Sequence, residues 1–140
     1  MTLSWDYSSI AMPLDCWSKM VISTFRTLPF AAPSAFNLPM GPPLAPHPED
    51  LVAAETRCRA LDLGPLLDRM PGRLWQMIGE TGWQRSHGER SRLYIARALL
   101  QRATVLILDE SFAALAPATL HRVQQCVLAH APTLLVIAHP

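Results

Sequence analysis

The feature that most constrains this chain is a short apolar run, Val105-Leu106-Ile107-Leu108, ending abruptly in two carboxylates, Asp109 and Glu110. A continuous apolar stretch over 104–108, bounded by polar residues, fits a strand buried on both faces. A second such run, Thr133–Ala138, ends at His139, and Pro117 opens a helical stretch through about Ala129 between the two. Strand, helix, strand is a βαβ unit, whose strands run parallel with the helix as crossover. Ligand groups in such sheets sit just beyond the carboxyl ends of the strands. Asp109, Glu110 and His139 are therefore expected along one edge of an α/β fold.

Upstream, the pattern turns helical. Pro48 followed by Glu49 and Asp50 suits a helix start, where proline fits the first position and the dipole favours carboxylates. Leu51, Ala54, Cys58 and Leu61 then recur at helical spacing, and Gly64-Pro65 is expected to end the helix. A second short helix is expected around Leu66–Met70, stopping at Pro71-Gly72, and Leu74–Ile78 is a short apolar segment before Gly79-Glu80-Thr81-Gly82. The next helix runs from about His87 to Gln101 with Ser86 as its cap, and Leu93, Ala96 and Leu100 mark its buried face. Residues 1–34 show no sustained period of 2 or 3.6 and are left as an unassigned, disordered leader. Seven of the thirteen prolines fall between Pro29 and Pro48, so 39–48 reads as an irregular linker.

The composition removes several function classes. The 140 residues carry a net charge of +1, which gives no field to steer nucleic acid, and no basic stripe is interleaved with aromatics. The three cysteines, Cys16, Cys58 and Cys126, show no zinc spacing, and no HExxH pair exists, which argues against a disulfide framework or zinc site and for a reducing cytoplasm. No run reaches the length of a membrane-spanning helix, and an N-terminus with Asp6 in place of a basic n-region is unlike a signal peptide. Five arginines fall between Arg85 and Arg102, and their simplest reading is a solvated helix face.

Each chemical motif has a structural alternative. Asp109 could hold Mg²⁺, a hard ion that takes oxygen ligands, and Glu110 could orient an attacking water; or the strand end simply turns acidic. Ser86-His87-Gly88-Glu89 could receive an anion on the helix N-terminus, with Gly88 allowing close approach. The same four residues also fit a capping box, with Ser86 at the N-cap and Glu89 at N3. His139 could hold a phosphate or a water, or be a surface residue.

Spacing shifts the balance between these readings, since the 23 residues from Ser86 to Asp109 leave room for one helix, a turn and one strand. Arg85-Ser86-His87-Gly88-Glu89 through Arg97-Ala98-Leu99-Leu100, then Leu106 to Glu110, then Val136-Ile137-Ala138-His139, resemble the nucleotide-binding domain of ABC transporters. The order and separations are similar to its signature motif, Walker B strand, D-loop and switch histidine. The resemblance covers about 35–139. It implies a partial P-loop NTPase-like fold with a helical subdomain over about 35–101, a βαβ part over about 102–140 and a short parallel sheet. Ser34-Ala35-Phe36-Asn37-Leu38 resembles the opening of the helical subdomain, and Gly79-Glu80-Thr81-Gly82 the loop of exporters that touches the transmembrane domain. By the same resemblance, Ser86, His87, Gly88 and Glu89 form the cofactor-binding element. Within it, Ser86 and Gly88 meet the γ-phosphate of ATP on an opposite subunit. Asp109 serves Mg²⁺, Glu110 the hydrolytic water, and His139 the γ-phosphate.

The sequence also departs from that family. A phosphate loop needs GxxxxGK and a hydroxyl residue, yet Lys19, the only lysine, follows Trp17-Ser18, and no glycine precedes Gly41. The first glutamine is Gln76, after the position expected for the Q-loop. His87 replaces a glycine, Glu89 a glutamine and Arg85 a leucine, and Ala116 stands at the D-loop aspartate position. The expectation is a truncated ATP-binding part of an exporter, cytoplasmic and reaching the membrane through a transmembrane partner. It would be unable to grip ATP alone, at most completing the site of an intact homologous subunit. The alternative is a non-enzymatic remnant that only pairs with such a subunit, or is inactive. Without the phosphate-loop strand, both 104–108 and 133–138 are expected to expose edges and apolar faces.

Overall fold

The computed structural model describes residues 20–24, 32–38, 47–78 and 83–138. His139 and the 79–82 loop lie outside them, as does most of the proline-rich linker. Elements follow in the order β1 (Met20–Thr24), β2 (Ala32–Pro33), α1 (Ser34–Asn37), α2 (Pro48–Ala60), α3 (Gly64–Arg69), a 3₁₀ turn (Arg73–Trp75), β3 (Met77–Ile78), α4 (His87–Leu100), β4 (Val105–Asp109), α5 (Pro117–His130) and β5 (Leu134–Ile137).

β4, α5 and β5 form the expected βαβ unit, with β5 parallel to β4 and Asp109 opposite Ile137. The sheet has a third strand. β1 pairs parallel with the other edge of β4, Met20 opposite Val105 and Thr24 opposite Asp109, so the strand order is β1-β4-β5. This revises the expectation of an unassigned leader over 1–34, and α1 begins at Ser34, inside that stretch. The expectation of two exposed strand edges is also revised. β4 is paired on both sides, so among the described residues the edges fall to β1 and β5, and in β5 Leu135, Val136 and Ile137 are 50%, 42% and 40% exposed. β4 itself is covered unevenly: Leu106 and Leu108 are buried, while Val105 and Ile107 are half-buried.

The helical part is better filled. Pro48 takes the first turn of α2, the Asp50 carboxylate accepts from the His47 N–H at 3.0 Å, and Ala54 and Cys58 face inward. The helix ends at Ala60, before the expected Gly64-Pro65. Asp62 reverses the chain at φ 61°, and Gly64-Pro65 instead opens α3, where proline costs no hydrogen bond. Leu74 closes over this layer from the 3₁₀ turn, and β3 pairs antiparallel with β2, Ala32 opposite Ile78. α1 docks beside it through Ser34 N–H to the Gln76 carbonyl at 3.0 Å, and Phe36 meets Trp75 edge to face at 6.0 Å.

α4 is the axis of the fold, touching α2, α5, β1 and β4. Its buried surface is wider than one stripe, because Ser91, Tyr94, Ile95, Ala98 and Leu99 are buried alongside the expected Leu93 and Ala96. Leu100, expected inside, is only partly buried at the helix end. One continuous core joins Leu61, Leu63, Leu66, Leu67 and Met70 to Ile95, to Leu106 and Leu108, and to Val123 and Val127 of α5.

Candidate functional site

Ser86 is the N-cap of α4, as expected. Its hydroxyl accepts from Glu89 N–H at 3.1 Å, and the Glu89 carboxylate accepts from Ser86 N–H at 2.8 Å. The reciprocal pair is a capping box, which satisfies two donors at the helix start. Glu89 is also held by the Arg69 guanidinium from α3. The carboxylate is thus turned back onto the cap and paired with a cation. That reduces the repulsion a glutamate at this position would exert on an anion. Ser86 and His87 are exposed, at the open end of the helix.

Gly88 has a second constraint. A side-chain carbon built there would lie 3.0 Å from the backbone carbonyl oxygen of Ala114, in the loop that follows Glu110. The oxygen that closely approaches Gly88 therefore belongs to this chain. The Gly88 carbonyl also accepts from Arg92 Nε at 3.2 Å. Arg92 extends to the Asp62 carbonyl and lies 3.3 Å from the Asp62 carboxylate, which takes Arg122 of α5 at 2.8 Å on its other oxygen. Polar contacts thus run from the α2–α3 turn to the start of α4 and to α5. Sequence reasoning missed Arg69, Arg92 and Ala114. Arg92 lies one turn beyond Gly88, a spacing that could have signalled its bond, whereas Arg69–Glu89 and Gly88–Ala114 are long-range and leave no local trace.

Asp109 ends β4 at the carboxyl edge, half-buried, and Glu110 follows, exposed. Glu110 adopts φ 49°, a left-handed conformation that costs a non-glycine residue on the order of 1–2 kcal/mol. Its N–H still bonds the Ile137 carbonyl at 2.9 Å, so the kink occurs while the backbone remains tied to β5. Ser111 Oγ then donates to the Asp109 carbonyl at 3.3 Å. The carboxylate pair is therefore presented on a tight turn with its backbone fixed on both sides.

For a divalent cation the fit is partial. Asp109 is an oxygen donor at the right edge, but no group of three metal-ligating side chains occurs among the described residues. Mg²⁺ suits such a site when phosphates and waters complete its shell.

The comparisons fall on these same residues. Residues 71–113, from the 3₁₀ turn through α4 and the carboxylates, match the ABC transporter family. The chain carries a partial ABC transporter nucleotide-binding domain. The ATP-dependent lipid A-core flippase of Aromatoleum aromaticum is 45% identical over 94 residues, 62% of this chain and 15% of that protein. The flippase of Polaromonas sp. is 38% identical over 139 residues, 97% of this chain and 22% of its own length, so this ABC domain likeness reaches into the leader containing β1. In structure, the chain resembles a bacterial Atm1-family ABC exporter with ATP bound, with a TM-score of 0.73 at 24% identity, over 88% of this chain and 21% of that one. The chain thus spans about a fifth of the length of these relatives. No helix among the described residues is long and apolar enough to cross a membrane.

Proposed function

We propose that this chain serves as part of the ATP-binding unit of an ABC exporter, supplying a signature element to a nucleotide held by an intact homologous subunit. In this reading the chain divides into a helical part over about 35–101 and a βαβ part over about 102–140. The observation that carries the reading is the contact of Gly88 with the Ala114 carbonyl. It brings the capped start of α4 against the loop that follows the carboxylates, closely enough to leave no room for a side chain at Gly88.

Ser86 and the first turn of α4 orient toward the γ-phosphate of the partner's ATP, where a hydroxyl and a helix N-terminus stabilise negative charge. His87, in place of glycine, narrows the approach on that side. On the chain's own edge, Asp109 offers an oxygen to Mg²⁺, Glu110 holds and deprotonates a water, and His139 donates to a phosphate. ATP with Mg²⁺ supplies the transferable phosphoryl group when bound; this chain's residues position the water and neutralise charge. No phosphate loop in the 140 residues grips that nucleotide in cis, so the in-trans role of Ser86 is the more substantial one. The unit works on the cytoplasmic face, reaching the membrane through a transmembrane partner, and the flippase relatives make export of a large amphiphile the natural substrate class.

A non-enzymatic remnant that only pairs with an intact subunit is the second reading, favoured by the absent phosphate loop and by Ala116 at the D-loop aspartate position. Mixing the chain with an intact homologous nucleotide-binding subunit separates the two. Stimulated ATP hydrolysis that disappears with Ser86→Arg is expected. Pairing without stimulation would favour the remnant.

A further inference from the structure

Arg90, Tyr94 and Arg97 stand at positions i, i+4 and i+7 of α4, so they share one stripe of the helix about 10 Å long. Arg85 lies just before the N-cap, at the Arg90 end of that stripe. Among the described residues Arg59, Arg69, Arg73, Arg92 and Arg122 each hold a carboxylate. Arg57, Arg85, Arg90, Arg97 and Arg102 hold none, and of these Arg85, Arg90 and Arg97 act on one phenol, Tyr94. Tyr94 is only 6% exposed, and its hydroxyl is buried with no hydrogen-bond partner. The Nε atoms of Arg85 and Arg90 are in the same condition.

These groups act on one another. Burial pushes the Tyr94 phenol up, against the opposing pull of Arg90, Arg85 and Arg97, so the hydroxyl stays protonated and able to donate. Burial, then the neighbouring Arg90 charge, pushes Arg85 down against the pull of Tyr94 and Glu89, and burial pushes Arg97 down against Tyr94. A guanidinium remains charged through such shifts and has donors only. The one carboxylate acting on this set, Glu89 beside Arg85, is already committed to Arg69 and to Ser86 N–H, so three cations and a donor hydroxyl remain an incomplete set, because buried polar groups normally find partners.

We propose that Arg85, Arg90, Tyr94 and Arg97 form an oxyanion site that runs along the flank of α4 from just before its N-cap and takes a phosphate group. A tetrahedral dianion offers acceptors on several sides and balances more of the three charges than a carboxylate does, and arginine's fork suits it. The phosphate comes from the free ion or from a phosphate ester; the chemistry is shared.

Inorganic phosphate titrated into the full 140-residue chain, with sodium chloride at matched ionic strength as reference, tests this by calorimetry and thermal unfolding. Saturable binding with a raised melting temperature is expected. Arg90→Gln weakens it roughly tenfold or more, the size of a charge-assisted bond. Arg122→Gln, which removes an equal charge elsewhere, leaves it unchanged. Tyr94→Phe unfolds no earlier than the parent without phosphate, and gains less from phosphate. Competition by ADP assigns the phosphate to an ester, and its absence assigns it to the free ion. Equal stabilisation by chloride, or phosphate affinity unaltered in both Arg90→Gln and Tyr94→Phe, overturns the proposal.

Discussion

The helical layer and the β5 edge are both rich in aliphatic residues, yet they are built to opposite standards. Leu61, Leu63, Leu66, Leu67, Met70 and Ile95 are each at most 2% exposed, while three of the four residues of β5 are at least 40% exposed. Burial stabilises by roughly 25 cal/mol per Å² of apolar surface, so the folding energy is concentrated around α4 and little of it reaches β5. The signature end of α4 rests on a packed base, whereas the edge that should carry His139 is held on one side only. This asymmetry matches the functional division: the part proposed to serve a partner's nucleotide is the part that this chain stabilises by itself.

Ile95→Ala should break the helical side, costing about 2–5 kcal/mol as a buried aliphatic truncation. Leu135→Ala on β5 should cost within about 0.5 kcal/mol. Chemical denaturation of the two variants reads the contrast, and comparable losses would show that β5 is buried in solution. Gly88→Ala comes next. Its methyl would meet the Ala114 carbonyl, and because backbone cannot swing aside, about 1–3 kcal/mol of destabilisation is expected. Stimulation of an intact subunit should fall with it.

The polar line through Asp62 gives a graded comparison. Arg92→Gln removes a cation that is 13% exposed and bonds both Gly88 and Asp62, and should cost on the order of 1–3 kcal/mol. Arg122→Gln, whose side chain is 64% exposed, should cost under about 1 kcal/mol. Thermal unfolding of the single and double variants checks this and measures their coupling. The smallest effect at neutral pH belongs to Cys58. Burial pushes its thiol up to about 12 from 9.0, with Glu55 adding to it. Because the folded state holds the proton more tightly, this contribution is fully present below pH 9 and is lost as pH rises from 9 toward 12. Stability should fall by about 1.4 kcal/mol per pH unit in that window, and Cys58→Ala should flatten the slope.

Much of this organisation was legible in the residues. The apolar run into Asp109-Glu110 located β4, Pro48 and Pro117 located two helix starts, and Ser86 with Glu89 gave the capping box. Each signal is local. What stayed hidden is long-range: β1 has five residues including Ser23 and Thr24, and its partner lies 85 positions away. Asp62 and Glu110 adopt left-handed backbone without being glycine, which no pattern announces. The half-buried cluster around Tyr94, with Arg85, Arg90 and Arg97, was hidden because arginines along a helix read as a solvated face. At the candidate site, the motif spacing located Ser86 and Asp109 along the chain, but the close approach of Gly88 to the Ala114 carbonyl required three-dimensional proximity.

The central claim is that α4 serves a partner's nucleotide while this chain lacks its own grip on ATP. Titrating ATP-Mg²⁺ into the purified 140-residue chain tests it directly, alone and with an intact homologous subunit. The account predicts no saturable binding in the micromolar range by the chain alone, and tighter binding by the mixture than by the intact subunit, lost with Ser86→Arg. Micromolar binding by the chain alone that is abolished in Asp109→Asn would contradict it.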